Sequence, residues 1–349
     1  MTTIYTFAQS AIEEARSAGR YGTANLYSGA INSFRNFTGD IPLTFKEVTA
    51  GMIKRYEESL LQKGRRHNTI SAYMRMLRSI FNQAYQQGIP DTIPADELFR
   101  FVFTGYEPTA KRAISPALIR RLSQLNLEHS PHLRFSRDLF LLSFYLRGIP
   151  FVDLVHLRKT DMKHNTIYYY RRKTRQQLSV YLEPYAAEIL RRYTDKHSPS
   201  PYLLPILSAV GPEGYRQYKS ALRLYNQHLH RLSKMLRLSV PLTSYVARHS
   251  WATTAKEEGV AIAMISEGLG HSSEKVTHVY LSSFNNNAMS KANRKVISTI
   301  HAKKKKRKKG LSGNIWLVSF KISYLCLPLF YETRTTPSCH PSGCAYRQL

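Results

Sequence analysis

Cysteine is almost absent from this chain of 349 residues, and acidic residues are scarce. The three cysteines, Cys326, Cys339 and Cys344, all lie in the last two dozen residues, so the rest of the chain cannot form a disulfide framework. That distribution suits a protein made in a reducing compartment. The N-terminal residues also lack a basic segment followed by an apolar one, which argues against a secretory signal and favours a cytoplasmic location.

The shortage of acidic residues leaves a large positive charge. There are 51 lysines and arginines against 23 aspartates and glutamates, a formal net charge of +28, and the basic run at 303–309 supplies only seven of these positive charges. A folded chain with so much like charge repels itself, and a polyanion relieves the repulsion. Nucleic acid is therefore the favoured class of partner, although a ribosomal or membrane-surface protein can be equally basic.

Residues 1–107 predict a small helical domain. Apolar residues recur at helical spacing over 23–37, 49–63 and 68–87, which indicates a bundle of about four helices. The last of these segments has Asn68 or Thr69 as its predicted N-cap. The residues directly before it, 65–67, are basic and lie next to the polar face of the predicted helix. Helix N-termini and basic side chains both favour phosphate, so this face is predicted to follow a DNA backbone; the alternative is a basic face that contacts only solvent. The predicted DNA-binding residues are Arg65, Arg66, His67, Asn68, Thr69, Ser71, Arg75 and Arg78.

A second domain is predicted over 116–300, after a linker at 108–115 with little periodicity. Ser115-Pro116 is typical of a helix start. The segment NTIYYYRRKTRQQLSVYLE at 165–183 predicts a β-hairpin with Lys173 at or near its turn, and the other patterns in this domain are mostly helical. From 301 to 349, a basic run and an unassigned segment are predicted to form a disordered tail.

One charged residue ends an apolar helix. The segment RDLFLLSFYLR at 137–147 is strongly apolar, and Arg147 stands at its end, directly before Gly148. A charge in that place requires a partner or a ligand. Either Arg147 pairs with a carboxylate such as Asp153 to hold the fold, or it is held rigidly to bind an anion. The residues alone leave both interpretations open.

Two short segments between 243 and 280 place polar residues beside glycines or at helix ends. TSYVARHSWATTAKEEG predicts a helix on which Arg248 and His249 are adjacent and point about 100° apart. The segment GLGH at 268–271 then predicts a sharp turn that lets His271 face a cleft, and the helix after it carries Tyr280. Taken singly, a histidine beside glycines is usually a turn residue, and a tyrosine at a helix end usually belongs to a core.

Together these segments resemble the tyrosine recombinases, the integrase family of phages, transposons and chromosome-dimer resolvases. The matching pieces are LRGIPFVDLVHL, RRKTRQQL, YVARHSWAT, LGH and a tyrosine nine residues after that histidine. The resemblance extends over residues 5–300. It implies a mainly α fold in which a SAM-like, four-helix core-binding domain precedes a mostly α catalytic domain with a small β-hairpin or sheet, the DNA breaking-rejoining fold. The chain departs from the family at Tyr245, where most members have histidine, and looks most like the subgroup carried on integrated mobile elements.

The resemblance implies a chemistry in which Tyr280 is the nucleophile. Its hydroxyl attacks a DNA phosphodiester, forms a 3′-phosphotyrosyl link and releases a 5′-hydroxyl. Arg147 and Arg248 stabilise the negative charge that develops on the phosphate, and the resemblance implies neither a metal nor a cofactor. Asp153 has a supporting role, orienting Arg147 or His271.

Four further residues complete the implied site. Lys173 is the general acid for the 5′-oxygen, His271 donates a hydrogen bond to the phosphate, and His249 supports or takes part in proton transfer from the nucleophile. Tyr245 can donate one hydrogen bond to the phosphate. Its hydroxyl cannot act as a base near neutral pH as an imidazole can. The departure from the family pattern therefore leaves open which group removes the proton of Tyr280.

The implied function is site-specific recombination of double-stranded DNA at attachment sites, for the integration or excision of a mobile element. Recombination joins two duplexes at four active sites, so we expect a homotetramer on DNA and a monomer without it. No membrane partner is expected. Accessory DNA-bending proteins are possible partners. Two alternatives stay open: a catalytically inactive DNA-binding regulator of recombination, and a type IB topoisomerase-like enzyme that relaxes supercoils without pairing sites.

Overall fold

The computed structural model describes residues 2–39, 41–107, 109, 112–195, 197–281, 290, 293–294 and 296–298. Residues 1–292 form one unit, and only a few residues of a second unit, 293–349, are described. The predicted disordered tail at 301–349 lies outside the described residues. No helix in the described ranges is long and apolar enough to cross a membrane.

Four helices form the N-terminal bundle, as predicted. They are α1 (Ile4–Ser17), α2 (Tyr21–Thr38), α3 (Ala50–Gln62) and α4 (His67–Gln86), followed by a one-turn helix, α5 (Ala95–Leu98). The hydroxyls of Thr3 and Thr49 accept hydrogen bonds from backbone N–H groups in the first turns of α1 and α3. The apolar faces of the four long helices meet in one core, in which Phe34, Phe45 and Phe81 are buried.

The second part of the chain is mostly helical and has its own hydrophobic core. The Ser115 hydroxyl accepts a hydrogen bond from the Leu118 N–H, and Pro116 is the first helical residue, as the sequence predicts. The buried face of the central helix, α7 (Pro131–Tyr145), packs against α10 (Gly211–Met235) and α11 (Val246–Glu257). The helices of this part are α6 (Pro116–Ser123), α7 (Pro131–Tyr145), α8 (Phe151–Leu154), α9 (Pro184–Tyr193), α10 (Gly211–Met235), α11 (Val246–Glu257), α12 (Ile262–Leu269) and α13 (Glu274–Tyr280).

A small antiparallel sheet lies between α8 and α9 in the chain. Its strands are β1 (Met162–Lys163), β2 (Thr166–Tyr170) and β3 (Gln177–Tyr181), in the order β1-β2-β3. Ile167 pairs with Val180 and Tyr169 with Leu178; these four side chains are buried, whereas the residues that alternate with them are more exposed. The predicted hairpin is confirmed, and Lys173 lies in its turn. The sequence did not indicate β1, because two residues are too few to show an alternating pattern.

Candidate active site

A left-handed turn ends α7 and presents Arg147. Arg147 and Gly148 both have a positive φ, 56° and 70° respectively. Gly148 tolerates no side chain, because a Cβ there would lie 2.7 Å from the Cα of Arg248 in α11. The turn after α7 therefore packs directly on α11 and brings two arginines to neighbouring positions.

The side chain of Arg147 is exposed and extends towards α12. Its Cδ lies 3.6 Å from the position that a Cβ on Gly268 would take. One of the two interpretations of Arg147 was an ion pair with Asp153, but the carboxylate of Asp153 is bound by Arg171. The pairing with Asp153 is therefore not formed, and anion binding by Arg147 stays a prediction.

Arg248 is buried in the first turn of α11, with only 2% of its surface exposed. Its Nη1 donates to the carbonyl oxygen of Gly148 at 2.9 Å, and its Nη2 donates to that of Leu269 at 2.6 Å. The same Nη2 lies 2.8 Å from Nε2 of His271. Because the two carbonyls belong to the turns after α7 and α12, the planar guanidinium joins three elements and is oriented by the fold itself.

His271 is neutral in this arrangement, and its proton is on Nδ1. An arginine has no acceptor, so Nε2 accepts from Arg248, and Nδ1 donates to Oγ1 of Thr277 at 2.8 Å. Burial, and then the charges of Arg248, Arg171 and Lys173, lower the pKa of His271 to about 4. The resemblance implies that His271 donates a hydrogen bond to the phosphate. In this structure Nε2 instead accepts a hydrogen bond from Arg248.

The lowered pKa of His271 predicts a loss of stability in weakly acidic solution. In the unfolded chain this histidine gains a proton as the pH falls through its ordinary pKa of 6.5, whereas in the folded chain it stays neutral down to about 4. Between these values the unfolded state holds more protons, so the free energy of unfolding decreases as the pH is lowered. Urea unfolding of the wild type and His271→Gln, at about pH 7.5 and about pH 5, measures this dependence. The variant should lose less stability than the wild type between the two conditions; equal losses would contradict the assignment.

Lys173 is exposed in the turn between β2 and β3, and this turn lies against the one that carries His271. Oγ1 of Thr174 donates to the carbonyl oxygen of Gly270 at 3.2 Å. The charge of Lys173 is close enough to lower the pKa of His271. The structure thus brings the predicted general acid to the same place as the arginines and the histidine.

Asp153, in α8, is buried and binds the hairpin. One carboxylate oxygen accepts the backbone N–H of Arg172 at 3.0 Å, and the other accepts from the guanidinium of Arg171. The expectation that Asp153 orients Arg147 or His271 is therefore wrong. Its hydrogen bonds instead fix the strand end that leads into the turn.

Sequence reasoning missed two residues of this site, Arg171 and Thr277. The predicted hairpin contained a signal for Arg171: side chains alternate along a strand, so Arg171 shares a face with Ile167 and Tyr169, which the structure buries. Thr277 gave no comparable signal, since a threonine within a short helix has many ordinary environments.

Tyr245 and His249 lie at the start of α11. Tyr245 directly precedes the helix and is half exposed, and the centroid of its ring lies 6.4 Å from that of the half-buried His249. Arg248 and His249 differ in burial, which agrees with their predicted separation around the helix axis. Tyr280 is the last residue of α13, which begins three residues after His271; its side chain lies outside the described residues.

The charges of the site are mostly positive. The buried hydroxyl of Tyr169 has a raised pKa, mainly because of burial, and it is affected by Asp153, Arg171, Arg248 and Arg147 together. One carboxylate among three guanidiniums leaves a positive potential at this place, and the lysine of the hairpin turn adds to it. Such a site favours a phosphate or another anion.

The predicted DNA-binding face of α4 is retained only in part. Arg65, Arg66 and His67 are exposed where the helix begins. Ser71 is fully buried, and its hydroxyl donates to the carbonyl oxygen of Gly105 at 2.6 Å, so it is removed from that face.

The other residues of the predicted face have protein partners or lie partly inside. The N-cap of α4 is Arg66, so neither Asn68 nor Thr69 caps the helix. The Asn68 amide donates to the carbonyl oxygen of Glu107 at 2.7 Å and accepts from its N–H at 2.8 Å. Of the remaining residues, Thr69 is half-buried, Arg75 is exposed and donates to the carbonyl oxygen of Ser71, and Arg78 pairs with Asp96.

The fold described above and the comparisons with known proteins together define the class, the tyrosine recombinases. The chain belongs to the phage integrase family: the family model for the phage integrase SAM-like domain matches residues 3–98, and the model for the phage integrase family matches residues 121–287. The SAM-like match corresponds to the four-helix bundle and α5. The second match contains the turns that carry Arg147, Lys173 and His271.

Individual relatives agree with this membership. A tyrosine recombinase of Pseudothermotoga lettingae is 25% identical over 266 residues, which cover 74% of this chain and 86% of the relative. The tyrosine recombinase XerA of Thermococcus kodakarensis is 26% identical over 261 residues, 74% of this chain and 83% of the relative. A solved lambda integrase tetramer bound to a Holliday junction has a TM-score of 0.59 at 16% identity and covers 80% of this chain and 78% of that one. At that identity the structural likeness shows the fold alone.

Proposed function

We propose that this chain is a site-specific recombinase that cleaves and rejoins DNA through a 3′-phosphotyrosyl intermediate, and that it integrates or excises a mobile element. The observation that carries the proposal is the position of Arg248, whose buried guanidinium is held by two backbone carbonyls and contacts His271. Its neighbour Arg147 is exposed, and the helix after His271 ends at Tyr280. Cations fixed before the reaction stabilise the charge that a phosphate develops in the transition state.

In the proposed step, the phenolic oxygen of Tyr280 forms a bond to the scissile phosphorus, and the bond from phosphorus to the 5′-oxygen breaks. The tyrosine proton passes to the imidazole of His249, and the leaving oxygen takes a proton from the ammonium of Lys173, which yields a 5′-hydroxyl. Arg147 and Arg248 bind the non-bridging oxygens meanwhile. Rejoining reverses these transfers, so the energy of the phosphodiester is conserved.

The histidines have different roles in this proposal. His249, half-buried at the start of α11, supports removal of the tyrosine proton. Tyr245 beside it does not act as the base, because a tyrosine hydroxyl has a pKa of about 10; it donates a hydrogen bond to the phosphate. His271 is neutral and exchanges its contact with Arg248 for one with the phosphate, rotating or changing tautomer so that it donates.

In this proposal the two domains have different tasks on the DNA. Residues 1–107 bind the duplex beside the cleavage site, with Arg65, Arg66 and His67 near the phosphates, and residues 116–300 carry the chemistry after the linker at 108–115. We propose that this chain forms a homotetramer on DNA, which the solved lambda integrase tetramer on a Holliday junction supports. We also propose that the chain is a monomer without DNA. Accessory DNA-bending proteins are compatible with this arrangement.

A covalent trapping experiment tests the proposed function. The protein is incubated with nicked duplexes from the ends of its own element, so that the cleaved fragment diffuses away and the protein–DNA link accumulates. We expect a shifted band on a denaturing gel and, after digestion, a DNA-linked peptide that contains Tyr280. Binding without any covalent link would favour the inactive regulator. Relaxation of supercoiled DNA that lacks paired sites would favour the topoisomerase-like enzyme.

A further inference from the structure

Arg171 occupies a junction between the hairpin and the rest of the site. It is only 5% exposed, and its guanidinium binds the carboxylate of Asp153, which is 3% exposed. The same carboxylate accepts the backbone N–H of Arg172 at 3.0 Å. One buried acid therefore holds the hairpin at two consecutive residues, immediately before Lys173.

The stem of Arg171 also covers the turn that presents His271. Its Cγ lies 2.7 Å, and its Cδ 3.3 Å, from the position that a Cβ on Gly270 would take, so only a glycine lets the two approach so closely. Gly270 has a φ of 65°, which glycine adopts without strain. Thr174 adds a second connection by donating to the carbonyl oxygen of Gly270. Lys173 thus lies between two attachments, one to Asp153 and one to Gly270.

We propose that Arg171 is a positioning residue, which through Asp153 and Gly270 sets the place of Lys173 relative to the phosphate-binding groups. This inference rests on the proposed function, because it takes Lys173 as the general acid for the leaving 5′-oxygen. Arg171 itself does not contact the phosphate. Its guanidinium is buried against Asp153, whereas Lys173 is exposed where a ligand can reach it.

A DNA substrate with sulfur in place of the 5′-bridging oxygen tests whether Arg171 acts through proton donation by Lys173. A thiol has a pKa of about 8.5, so the thiolate leaves without being protonated and a general acid becomes unnecessary. On ordinary DNA, Arg171→Met, which keeps most of the stem but loses the guanidinium, should cleave about 10²-fold more slowly than the wild type. On the sulfur substrate its rate should return to within about threefold of the wild type, since no proton is donated.

Two controls separate this inference from its premises. Lys173→Ala on the sulfur substrate tests the premise: without recovery, the proposed general acid is wrong. If Lys173→Ala recovers and Arg171→Met does not, Lys173 keeps its role and the positioning role of Arg171 is overturned. Arg137→Met is the matched structural control, because Arg137 is also a largely buried arginine, bound to Asp138 and to the carbonyl oxygen of Leu125, away from the site. Any loss in that variant should be equal on the two substrates.

A more conservative variant covers the case in which Arg171→Met does not fold. Arg171→Lys keeps a positive charge opposite Asp153 but lacks the planar fork that binds a carboxylate while packing on Gly270. Thermal unfolding establishes which variant is folded. In the folded one, slow cleavage of ordinary DNA with recovery on sulfur DNA supports the inference. Unchanged cleavage of ordinary DNA, or equal loss on both substrates, overturns it.

Discussion

Replacing Tyr280 with phenylalanine is expected to abolish the covalent link to DNA, lowering the rate of cleavage by at least about 10⁴-fold. The change removes one oxygen, the atom that would bond to phosphorus, and keeps the ring. It leaves the arginines, the lysine and the exposed basic start of α4 in place, so binding to a duplex that carries the site should be unchanged. The measurement is a cleavage time course on a denaturing gel beside a mobility shift on a native gel.

The control for Tyr280→Phe is the same substitution at a tyrosine away from the site. Tyr185, at the start of α9, is 69% exposed and suits this purpose. Tyr185→Phe should cleave DNA at the rate of the wild type. A covalent link that persists in Tyr280→Phe would assign the nucleophile to another residue, and the DNA-linked peptide would then identify it.

The local elements of this fold were predictable because each has a periodic or a stereochemical signal. Apolar spacing predicts a helix over 23–37, and α2 occupies Tyr21–Thr38. Alternation on both sides of a polar centre predicts the hairpin and places Lys173 in its turn. The glycines at 268 and 270 predict the turn before His271, but Gly268 is still helical. Gly270 alone has the left-handed conformation that ends α12.

Contacts between distant residues were predicted less well, because sequence spacing does not show which carboxylate meets which cation. Asp153 stands six residues after Arg147, yet it pairs with Arg171 across the gap between α8 and the hairpin. Ser71 stands on the edge of the apolar face of α4, and the later segment that contains Gly105 covers that edge. Each error follows from the tertiary arrangement, which neither residue reveals through its own neighbours in the chain.

After the substitution of Tyr280, the substitution expected to have the largest effect on cleavage is that of Arg248. The guanidinium is planar and reaches two carbonyls and His271 at once. Lysine would keep the charge, but a single ammonium on a flexible stem cannot hold the turns after α7 and α12 in the same way. Arg248→Lys is therefore expected to impair both the orientation of the phosphate-binding group and the packing of those turns.

We expect Arg248→Lys to lower the rate of cleavage by at least about 10³-fold, at the upper end of the loss seen when one preorganised donor is removed. Its melting temperature should also fall, so the rate is to be measured well below that temperature, with Arg137→Lys as the control for a lysine at a largely buried arginine position. Arg137 also donates to a backbone carbonyl and a side chain, so the control should lose stability but keep its cleavage rate. If folded Arg248→Lys cleaved DNA within about tenfold of the wild type, charge alone would suffice at this position. The fixed geometry of the guanidinium would then not be what stabilises the transition state, and the two carbonyls that hold Arg248 would serve the fold alone.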